Sequence, residues 1–333
     1  MPLSNTNRAA PVAITLGDPA GIGPEIVAQA WQQRRTEGLP IFFWMGERSL
    51  AGDCPAEDIA SAAEAADVFD RALPILPQKL AAPVMPGTPD QANAPAVIAA
   101  LERSAALCLK GDASAVVTAP MAKDVLYAAG FKAPGQTEFY ADACGIARDD
   151  TVMLLASPLL KVVPLTIHVP LKDVPRQLSQ SLIISRAKTV HTALSKDFGI
   201  KAPRLAVCGL NPHAGEQGQI GTEERDIIAP AIAQLRAEGI DAKGPYPADS
   251  LFHAEARAGY DVALAMYHDQ GLVPLKALDF HAGVNVTLGL PIVRTSPDHG
   301  TAFDIAGAGQ ANPRSMIEAI KLAGAIAARR AAA

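Results

Sequence analysis

Short apolar runs alternate with longer segments of helical periodicity along almost the whole chain. Residues 11–16, 41–45 and 204–208 are typical of buried strands, whereas residues 95–110 and 181–197 repeat apolar side chains at helical spacing. Repeated strand–helix alternation favours a largely parallel sheet with helices covering both of its faces. Because no clear linker interrupts this pattern, the sequence predicts an α/β fold in which two α/β/α lobes share a mixed, largely parallel sheet.

The same periodicity predicts the remaining strands and helices. Further strands are predicted at residues 115–118, 151–155, 161–167, 262–266 and 284–287. Further helices are predicted at residues 24–33, 122–129, 223–238 and 313–328. The strands at residues 151–155 and 161–167 are expected to pair with each other. Residues 73–90 are rich in proline and predict an irregular surface loop.

Composition and charge exclude several classes of partner. The chain has a formal net charge of -5 and no block of basic residues, so no nucleic acid or anionic membrane surface is expected to bind it. No apolar stretch approaches the ~20 residues of a membrane span, and the N-terminus shows no signal peptide. The cysteines lack metal-ligand spacing and predict buried thiols in a reducing cytoplasm; they are Cys54, Cys108, Cys144 and Cys208.

Three histidines follow predicted strands. His168 ends the segment KVVPLTIH, His268 ends DVALAMYH, and His213 comes shortly after the strand in RLAVCGLNPH. Ligands of open parallel sheets bind at the carboxyl ends of strands, and three imidazoles at that edge would suit a divalent ion with open positions for a substrate. Each histidine could instead be an ordinary turn or core residue, because the spacing does not show that the three converge.

Asp269 directly follows His268 and adds a carboxylate to this candidate metal site. The carboxylate could orient the neighbouring imidazole or act as a general base. It could also be an ordinary capping residue in a turn. We carry Asp269 forward as the candidate proton acceptor.

Two glycine-rich segments could bring the backbone close to a ligand. GDPAGIGPEI, residues 17–26, leads from a strand into a helix whose free N–H groups favour anions, but it has neither P-loop nor GxGxxG spacing. HGTAFDIAGAGQANP, residues 299–313, is a long loop in which Gly300, Gly307 and Gly309 would allow close contact with a planar ligand. Either segment could also be a plain connector.

Several polar and basic residues are candidates for binding an anionic substrate. Gln136 and Thr137 come just before a predicted helix, Asn285 lies on a strand, and Arg294 lies at the end of the next strand. Lys276 and Arg294 together could neutralise a phosphate or a carboxylate. Both could also be solvated surface charges.

Seven segments resemble those of 4-hydroxythreonine-4-phosphate dehydrogenases in order and spacing, over roughly residues 11–330. The segments are GDPAGIGPE, APMAK, PGQTEF, LTIHVPL, GLNPHAGE, AMYHDQGLVPLK and GVNVTLGLPIVRTSPDHGTAFDIAG. The resemblance implies the fold of isopropylmalate and isocitrate dehydrogenases, which is not a Rossmann fold. It also implies one lobe of residues 1–134 plus 277–333 that carries the NAD loop. The other lobe, residues 135–276, would hold the substrate and metal sites and form the dimer.

The resemblance also implies roles for particular residues in a homodimer with a shared active site. A divalent ion (Zn, Co or Mg) would be bound by His168 and His213 of one subunit and by His268 of the other. The implied substrate contacts are Gln136, Thr137, Lys276, Asn285 and Arg294. The implied contacts to NAD or NADP are Gly300, Asp304, Gly307, Gly309 and Asn312.

The implied reaction is the oxidation of 4-phosphooxy-L-threonine to 2-amino-3-oxo-4-phosphooxybutanoate. Decarboxylation then gives 3-amino-2-oxopropyl phosphate for pyridoxal phosphate biosynthesis. One departure from the family is Gln136, where a histidine is usual. It leaves open a related dehydrogenase for another four-carbon phosphosugar acid, such as threonate or erythronate phosphate. An enzyme of another class, similar to the phosphate acyltransferases, is the remaining alternative.

Overall fold

The computed structural model describes residues 9–333, which divide into two compact units. The first unit comprises the described residues up to Ile146 together with Leu290–Ala332. The second unit is Ala147–Gly289. Each unit contains its own set of strands and helices.

The described residues form twelve strands. In chain order they are β1 (Val12–Ile14), β2 (Phe42–Gly46), β3 (Ala56–Asp58), β4 (Leu73–Pro77), β5 (Ala115–Val117), β6 (Val152–Ala156), β7 (Lys161–Thr166), β8 (Arg204–Cys208), β9 (Asp241–Tyr246), β10 (Val262–Tyr267), β11 (Val284–Leu288) and β12 (Arg294–Pro297).

Twelve α-helices are present in the same residues. They are α1 (Gly23–Gln32), α2 (Arg34–Glu37), α3 (Ala65–Val68), α4 (Ala94–Lys110), α5 (Lys123–Ala128), α6 (Gln136–Ala143), α7 (Val174–Gln177), α8 (Gln180–Lys196), α9 (Ala229–Ala237), α10 (Ala254–Arg257), α11 (His268–Leu278) and α12 (Arg314–Ala332). A π-helical turn, Glu224–Ile228, leads into α9.

The first unit is built on parallel strands in the order β3-β4-β2-β1-β5-β12. Its central strands β1, β2 and β5 are buried along their whole length. Continuous apolar runs of this kind are typical of strands that are covered on both faces. The centre of this part of the sheet is therefore covered on both faces.

The second unit has the strand order β11-β6-β7-β10-β8-β9. Strands β6 and β7 pair with each other, as predicted. Strand β6 is antiparallel to both β7 and β11, whereas β7, β10, β8 and β9 are parallel neighbours. The apolar core here includes Leu155, Val162, Cys208, Ala263 and Leu275. The predicted fold class, α/β with a mixed, largely parallel sheet, is thereby confirmed.

The limits of the two units differ from the predicted lobe limits at residues 134 and 276. Helix α6 packs against α4 within the first unit, and β11 pairs with β6 within the second. These contacts join residues that are far apart in the chain, so local periodicity did not indicate them.

Two local predictions about strands are corrected by the structure. Residues 73–90 are not wholly a surface loop, because Leu73–Pro77 forms the largely buried strand β4. The prolines that suggested a loop are accommodated while the apolar side chains between them remain buried. Arg294 begins β12 rather than ending a strand. Helix α11, which begins at His268, was not anticipated.

The four cysteines are free thiols, but only two are fully buried. Cys54 and Cys208 lie in the core, whereas Cys108 and Cys144 are partly exposed, which corrects the prediction that all four are buried. Burial raises the pKa of Cys54 to about 11 and that of Cys208 to about 12. Such thiols are weak nucleophiles at neutral pH. In residues 9–333, no helix is both long and apolar enough to cross a membrane.

Candidate active site

The three candidate metal-binding histidines follow three adjacent parallel strands of the second unit. Strand β10 lies between β7 and β8, so the segments leading to His168, His268 and His213 leave the sheet at the same edge. A side chain fastens two of these strand ends, because the Thr166 hydroxyl donates to the carbonyl oxygen of Met266 at 2.8 Å. The fold thus brings these three strand ends to one edge of the sheet, as the sequence predicted.

Gln270 fastens a second pair of strand ends. Its Oε1 accepts a hydrogen bond from the Met266 N–H at 2.6 Å, and its Nε2 donates to the Gly209 carbonyl oxygen at 2.8 Å. Gln270 therefore links the end of β10 to the end of β8. It lies in the first turn of α11, two residues after His268. The same turn therefore carries the His268 imidazole and the amide that links these two strand ends.

His168 and His268 come together within one chain. Their ring centroids are 5.7 Å apart, and both line a cavity of about 250 Å³ with Thr166, Tyr267 and Asp269. Two imidazoles on one tetrahedral Zn²⁺ would have centroids roughly 5 Å apart. The observed separation therefore suits a shared divalent ion.

Asp269 contacts the imidazole that it follows in sequence. Its Oδ1 lies 2.7 Å from His268 Nδ1, which leaves Nε2 as the imidazole nitrogen for a metal. A carboxylate on the second nitrogen of a histidine ligand fixes the orientation of the ring and raises its basicity. This contact favours the orienting role among those considered for Asp269.

The backbone at two of the histidines is in the left-handed region. His168 has φ 54° and His213 has φ 53°, and residues 213–217 form a left-handed turn in which all five φ angles are positive. For non-glycine residues this conformation costs roughly 1–2 kcal/mol each. Strain of this kind persists only where the surrounding contacts enforce it, and it is concentrated at functional sites.

His213 is not brought to the His168–His268 pair closely enough to complete a metal site. In the described part of a single chain, no three histidine, cysteine, aspartate or glutamate side chains are grouped to hold a metal ion. His213 is exposed in its loop. The structure thus brings together two of the three predicted ligands.

Arg294 is a buried cation at the start of β12 in the first unit. Its side chain is 3% exposed and donates hydrogen bonds to the Thr118 hydroxyl, at 2.7 Å, and to Gln136 Oε1. Burial lowers the pKa of Arg294 to about 10, and the nearby Tyr140 and Glu138 act in the opposite direction. A guanidinium in this position would be stabilised by a bound anion, because burial disfavours its charge.

Gln136 begins α6 and has both ends of its amide engaged. Oε1 accepts from Arg294, and Nε2 donates to the Ala119 carbonyl oxygen at 3.3 Å. The structure therefore places Gln136 where it orients Arg294, inside the first turn of the helix and not before it as predicted. Thr137 follows it in the first turn of the same helix and is partly exposed.

The other two predicted substrate residues lie in the second unit. Lys276 is on α11, where its Nζ is 5.7 Å from the Phe280 ring centroid. Asn285 is on β11, and its Oδ1 is buried without a hydrogen-bond partner among residues 9–333. A buried acceptor without a donor is uncommon and is expected to receive a hydrogen bond from an ordered water or a ligand.

The glycine-rich loop at residues 299–313 presents much of its length to solvent. Gly300, Asp304, Gly307, Gly309 and Asn312 are all exposed. A Cβ at Gly300 would meet no atom of the described residues within 4 Å, whereas one at Gly307, where φ is 74°, would lie 2.8 Å from Pro86 Cβ. Gly300 therefore leaves open space that a cofactor could occupy, and Gly307 is required by the packing of the loop itself.

Sequence reasoning missed Asp18, which lies in the turn after β1. Asp18 is 5% exposed, its Oδ1 accepts from the Ala20 N–H at 3.0 Å, and its own N–H donates to the Pro120 carbonyl oxygen. Burial raises the pKa of this carboxyl, the bond from Ala20 opposes that change, and the nearby Asp124 adds to it. The glycines of the GDPAGIG segment and the N-terminus of the following helix indicated ligand binding, and the aspartate in this strand-end turn was a further signal.

The glycines of that turn explain how three loops of the first unit converge. A Cβ at Gly17 would lie 2.7 Å from Ala119 Cβ, and one at Gly21 would lie 2.9 Å from the Thr301 carbonyl oxygen. The turn after β1 therefore packs directly against the loop after β5 and against residues 299–313. Glycine is needed here for close approach.

Comparison with known proteins gives concordant matches. The family model for pyridoxal phosphate biosynthetic protein PdxA matches residues 43–323. A 4-hydroxythreonine-4-phosphate dehydrogenase from Erythrobacter litoralis is 55% identical over 329 residues, which cover 96% of this chain and 98% of the relative. The crystal structure of 4-hydroxythreonine-4-phosphate dehydrogenase from Klebsiella pneumoniae has a TM-score of 0.83 and 36% identity, covering 96% of this chain and 99% of that one.

A more distant structural neighbour has a different substrate. Terephthalate 1,2-cis-dihydrodiol dehydrogenase from Burkholderia xenovorans has a TM-score of 0.65 and 29% identity, covering 96% of this chain and 98% of that one. The fold and these matches define a class of α/β dehydrogenases. Within that class, the chain belongs to the 4-hydroxythreonine-4-phosphate dehydrogenase family of pyridoxal phosphate biosynthesis.

Proposed function

We propose that this chain oxidises the secondary alcohol of 4-phosphooxy-L-threonine with NAD or NADP, with the help of a divalent ion. The resulting 3-oxo acid would then lose CO₂ to give 3-amino-2-oxopropyl phosphate. The observation that carries the proposal is the pair His168 and His268 at adjacent strand ends, with Asp269 on the second imidazole. Zinc, cobalt or magnesium are the candidate ions.

The chain's own residues would hold and orient the reacting groups. A bound divalent ion would lower the pKa of the substrate hydroxyl and stabilise negative charge on its oxygen. The redox chemistry, which side chains cannot supply, would come from nicotinamide. Asp269 would keep the His268 ring in place through its 2.7 Å contact. A further role for Asp269 as proton acceptor is part of the proposal.

The anionic groups of the substrate would be recognised by cationic and polar side chains of the chain. Arg294 would bind an oxyanion while Gln136 and Thr118 hold its guanidinium in place. The unpartnered Oδ1 of Asn285 would accept a hydrogen bond from the substrate's ammonium or hydroxyl group. Lys276 and Thr137 would complete the recognition of phosphate and carboxylate.

The assay that tests this function is NAD(P)H formation over a panel of four-carbon phosphosugar acids, with and without a chelator. We expect the highest kcat/KM with 4-phosphooxy-L-threonine, loss of activity on chelation, and recovery with Co²⁺ or Zn²⁺. Activity on threonate phosphate without activity on 4-phosphooxy-L-threonine would refute the substrate while leaving the dehydrogenase chemistry in place. Full activity after complete metal removal would refute the role of the ion.

A specific observation favours a second candidate function, the oxidation of another four-carbon phosphosugar acid. Gln136 replaces the family's usual histidine and contacts Arg294, so the substitution lies next to the proposed anion site. The name of the terephthalate 1,2-cis-dihydrodiol dehydrogenase indicates that a structurally similar protein acts on a different kind of alcohol, a cis-dihydrodiol. Membership of the dehydrogenase family argues against the phosphate acyltransferase alternative.

We also propose a cytoplasmic homodimer in which a second copy of the chain completes the metal site. The resemblance assigned His268 to the partner, whereas the 5.7 Å ring separation within one chain favours His168 and His268 together, with His213 from the second copy. Mixing two inactive variants distinguishes these divisions. A heterodimer of His168→Ala and His213→Ala chains should regain one intact site, and one of His168→Ala and His268→Ala chains should not. The opposite pattern would support the original division.

The loop at residues 299–313 is proposed to bind the adenosine of NAD(P), and Gly300 gives the cleanest test. Gly300→Ala adds one methyl group that would meet no atom of residues 9–333 within 4 Å, so a bound cofactor is the group we expect it to meet. We expect KM for NAD to rise about tenfold, or about 1.4 kcal/mol, with KM for the substrate unchanged. Gly307→Val should also raise KM for NAD, but with added strain against Pro86. Equal increases in both KM values for Gly300→Ala would mean that the loop is structural.

A further inference from the structure

The left-handed turn at residues 213–217 is held by a buried carboxylate from a later part of the chain. Glu224 is 5% exposed, and its Oε1 accepts hydrogen bonds from the backbone N–H groups of Leu210 and Asn211, each at 2.7 Å. Its Oε2 accepts from Asn211 Nδ2 at 2.9 Å. One side chain therefore satisfies three donors in the segment that leads from β8 to His213.

Asn211 connects the Glu224 carboxylate to the turn at residues 213–217. Its carbonyl oxygen accepts from the Ala214 N–H at 3.1 Å, directly after His213. Its side-chain amide also donates to Glu223 Oε2 at 2.8 Å. The backbone before and after His213 is therefore tied to the Glu224 carboxylate, directly or through Asn211.

Two glycines show how closely the chain is packed around these side chains. A Cβ at Gly215 would lie 2.5 Å from Glu224 Oε2, and one at Gly221 would lie 2.3 Å from Asn211 Nδ2. Neither position could carry a larger residue without moving the carboxylate or the amide. The turn is therefore shaped around the Glu224–Asn211 pair.

We propose that Glu224 is a positioning residue, whose buried carboxylate holds the left-handed turn and so presents His213 to the divalent ion. The inference rests on the proposed function, in which His213 is a metal ligand. Residues that orient a ligand in this way typically change metal affinity by 10- to 100-fold when they are replaced. Glu224 itself would contact neither the ion nor the substrate.

Glu224→Gln tests the proposal, with Glu223→Gln as a matched control. Both replace a carboxylate that contacts Asn211, but only Glu224 also accepts from the backbone N–H groups of residues 210 and 211. In metal-free protein, we expect hydrogen exchange at residues 210–216 to speed up at least about tenfold in Glu224→Gln. Titration with Co²⁺ should show a dissociation constant raised roughly 10- to 100-fold. Glu223→Gln should change each quantity by less than about threefold.

Further variants make each outcome decisive. Asn211→Ala should give the same changes in weaker form and serves if Glu224→Gln does not fold. Unchanged exchange and unchanged Co²⁺ affinity in a folded Glu224→Gln protein would overturn the proposal. If His213→Ala leaves Co²⁺ affinity intact, the assignment of His213 as a ligand fails. The exchange of the metal-free protein then decides on its own whether Glu224 holds the turn.

Discussion

His268→Ala is expected to lower kcat/KM by more than about 1000-fold. The reason is that His268 lies beside His168 at the sheet edge, with Asp269 on its ring, so its loss would remove one of the two proposed metal ligands that meet within one chain. A bound divalent ion contributes several kcal/mol of charge stabilisation to the reaction, and about 4 kcal/mol corresponds to this factor. Activity and bound metal per chain are measured together.

Two variants control this experiment. His253→Ala removes another histidine of the second unit, also 2.7 Å from a carboxylate, that of Glu255, and should change kcat/KM little. Asp269→Asn keeps His268 but weakens its orientation, and should lower metal affinity about 10- to 100-fold. A His268→Ala protein that kept wild-type metal content and activity would contradict the metal assignment. A drop in kcat for Asp269→Asn at saturating metal would support its role as proton acceptor.

Arg294→Met should lower kcat/KM roughly 10- to 150-fold and leave NAD affinity nearly unchanged. Arg294 is a buried cation that donates to Thr118 and Gln136, and because burial disfavours its charge, a substrate oxyanion would stabilise it. A charge-assisted hydrogen bond contributes about 1.5–3 kcal/mol, which sets the expected range. The measurement is steady-state kinetics with substrate and NAD varied separately.

Gln136→Glu tests whether the charge of Arg294 is needed, because glutamate has almost the same shape as glutamine. A carboxylate against the Arg294 guanidinium would neutralise it without removing it, so kcat/KM should fall as in Arg294→Met. Gln136→His, which restores the family's usual residue, should preserve activity on 4-phosphooxy-L-threonine. If Arg294→Met raised KM for NAD as much as KM for the substrate, Arg294 would be a structural cation and not a recognition residue.

Much of the fold could be predicted from the sequence because its signals are local. Apolar runs and helical spacing located most of the strands and helices, and the parallel arrangement placed the strand ends before His168, His213 and His268 at one edge. The family resemblance is likewise a pattern of short segments, and the comparisons confirmed it. These conclusions need only residues that are close in sequence.

Only the tertiary structure decided which of those residues meet. The contact of Arg294 with Gln136 joins positions far apart in the chain. The hydrogen bonds that Glu224 accepts from the backbone before His213 also join residues that are not neighbours in sequence. Strand β4 contains prolines that locally favour a loop, yet it is buried between β2 and β3. The left-handed turn at residues 213–217 opposes local backbone preference, and the carboxylate that contacts the backbone before it, that of Glu224, comes from a later segment of the chain.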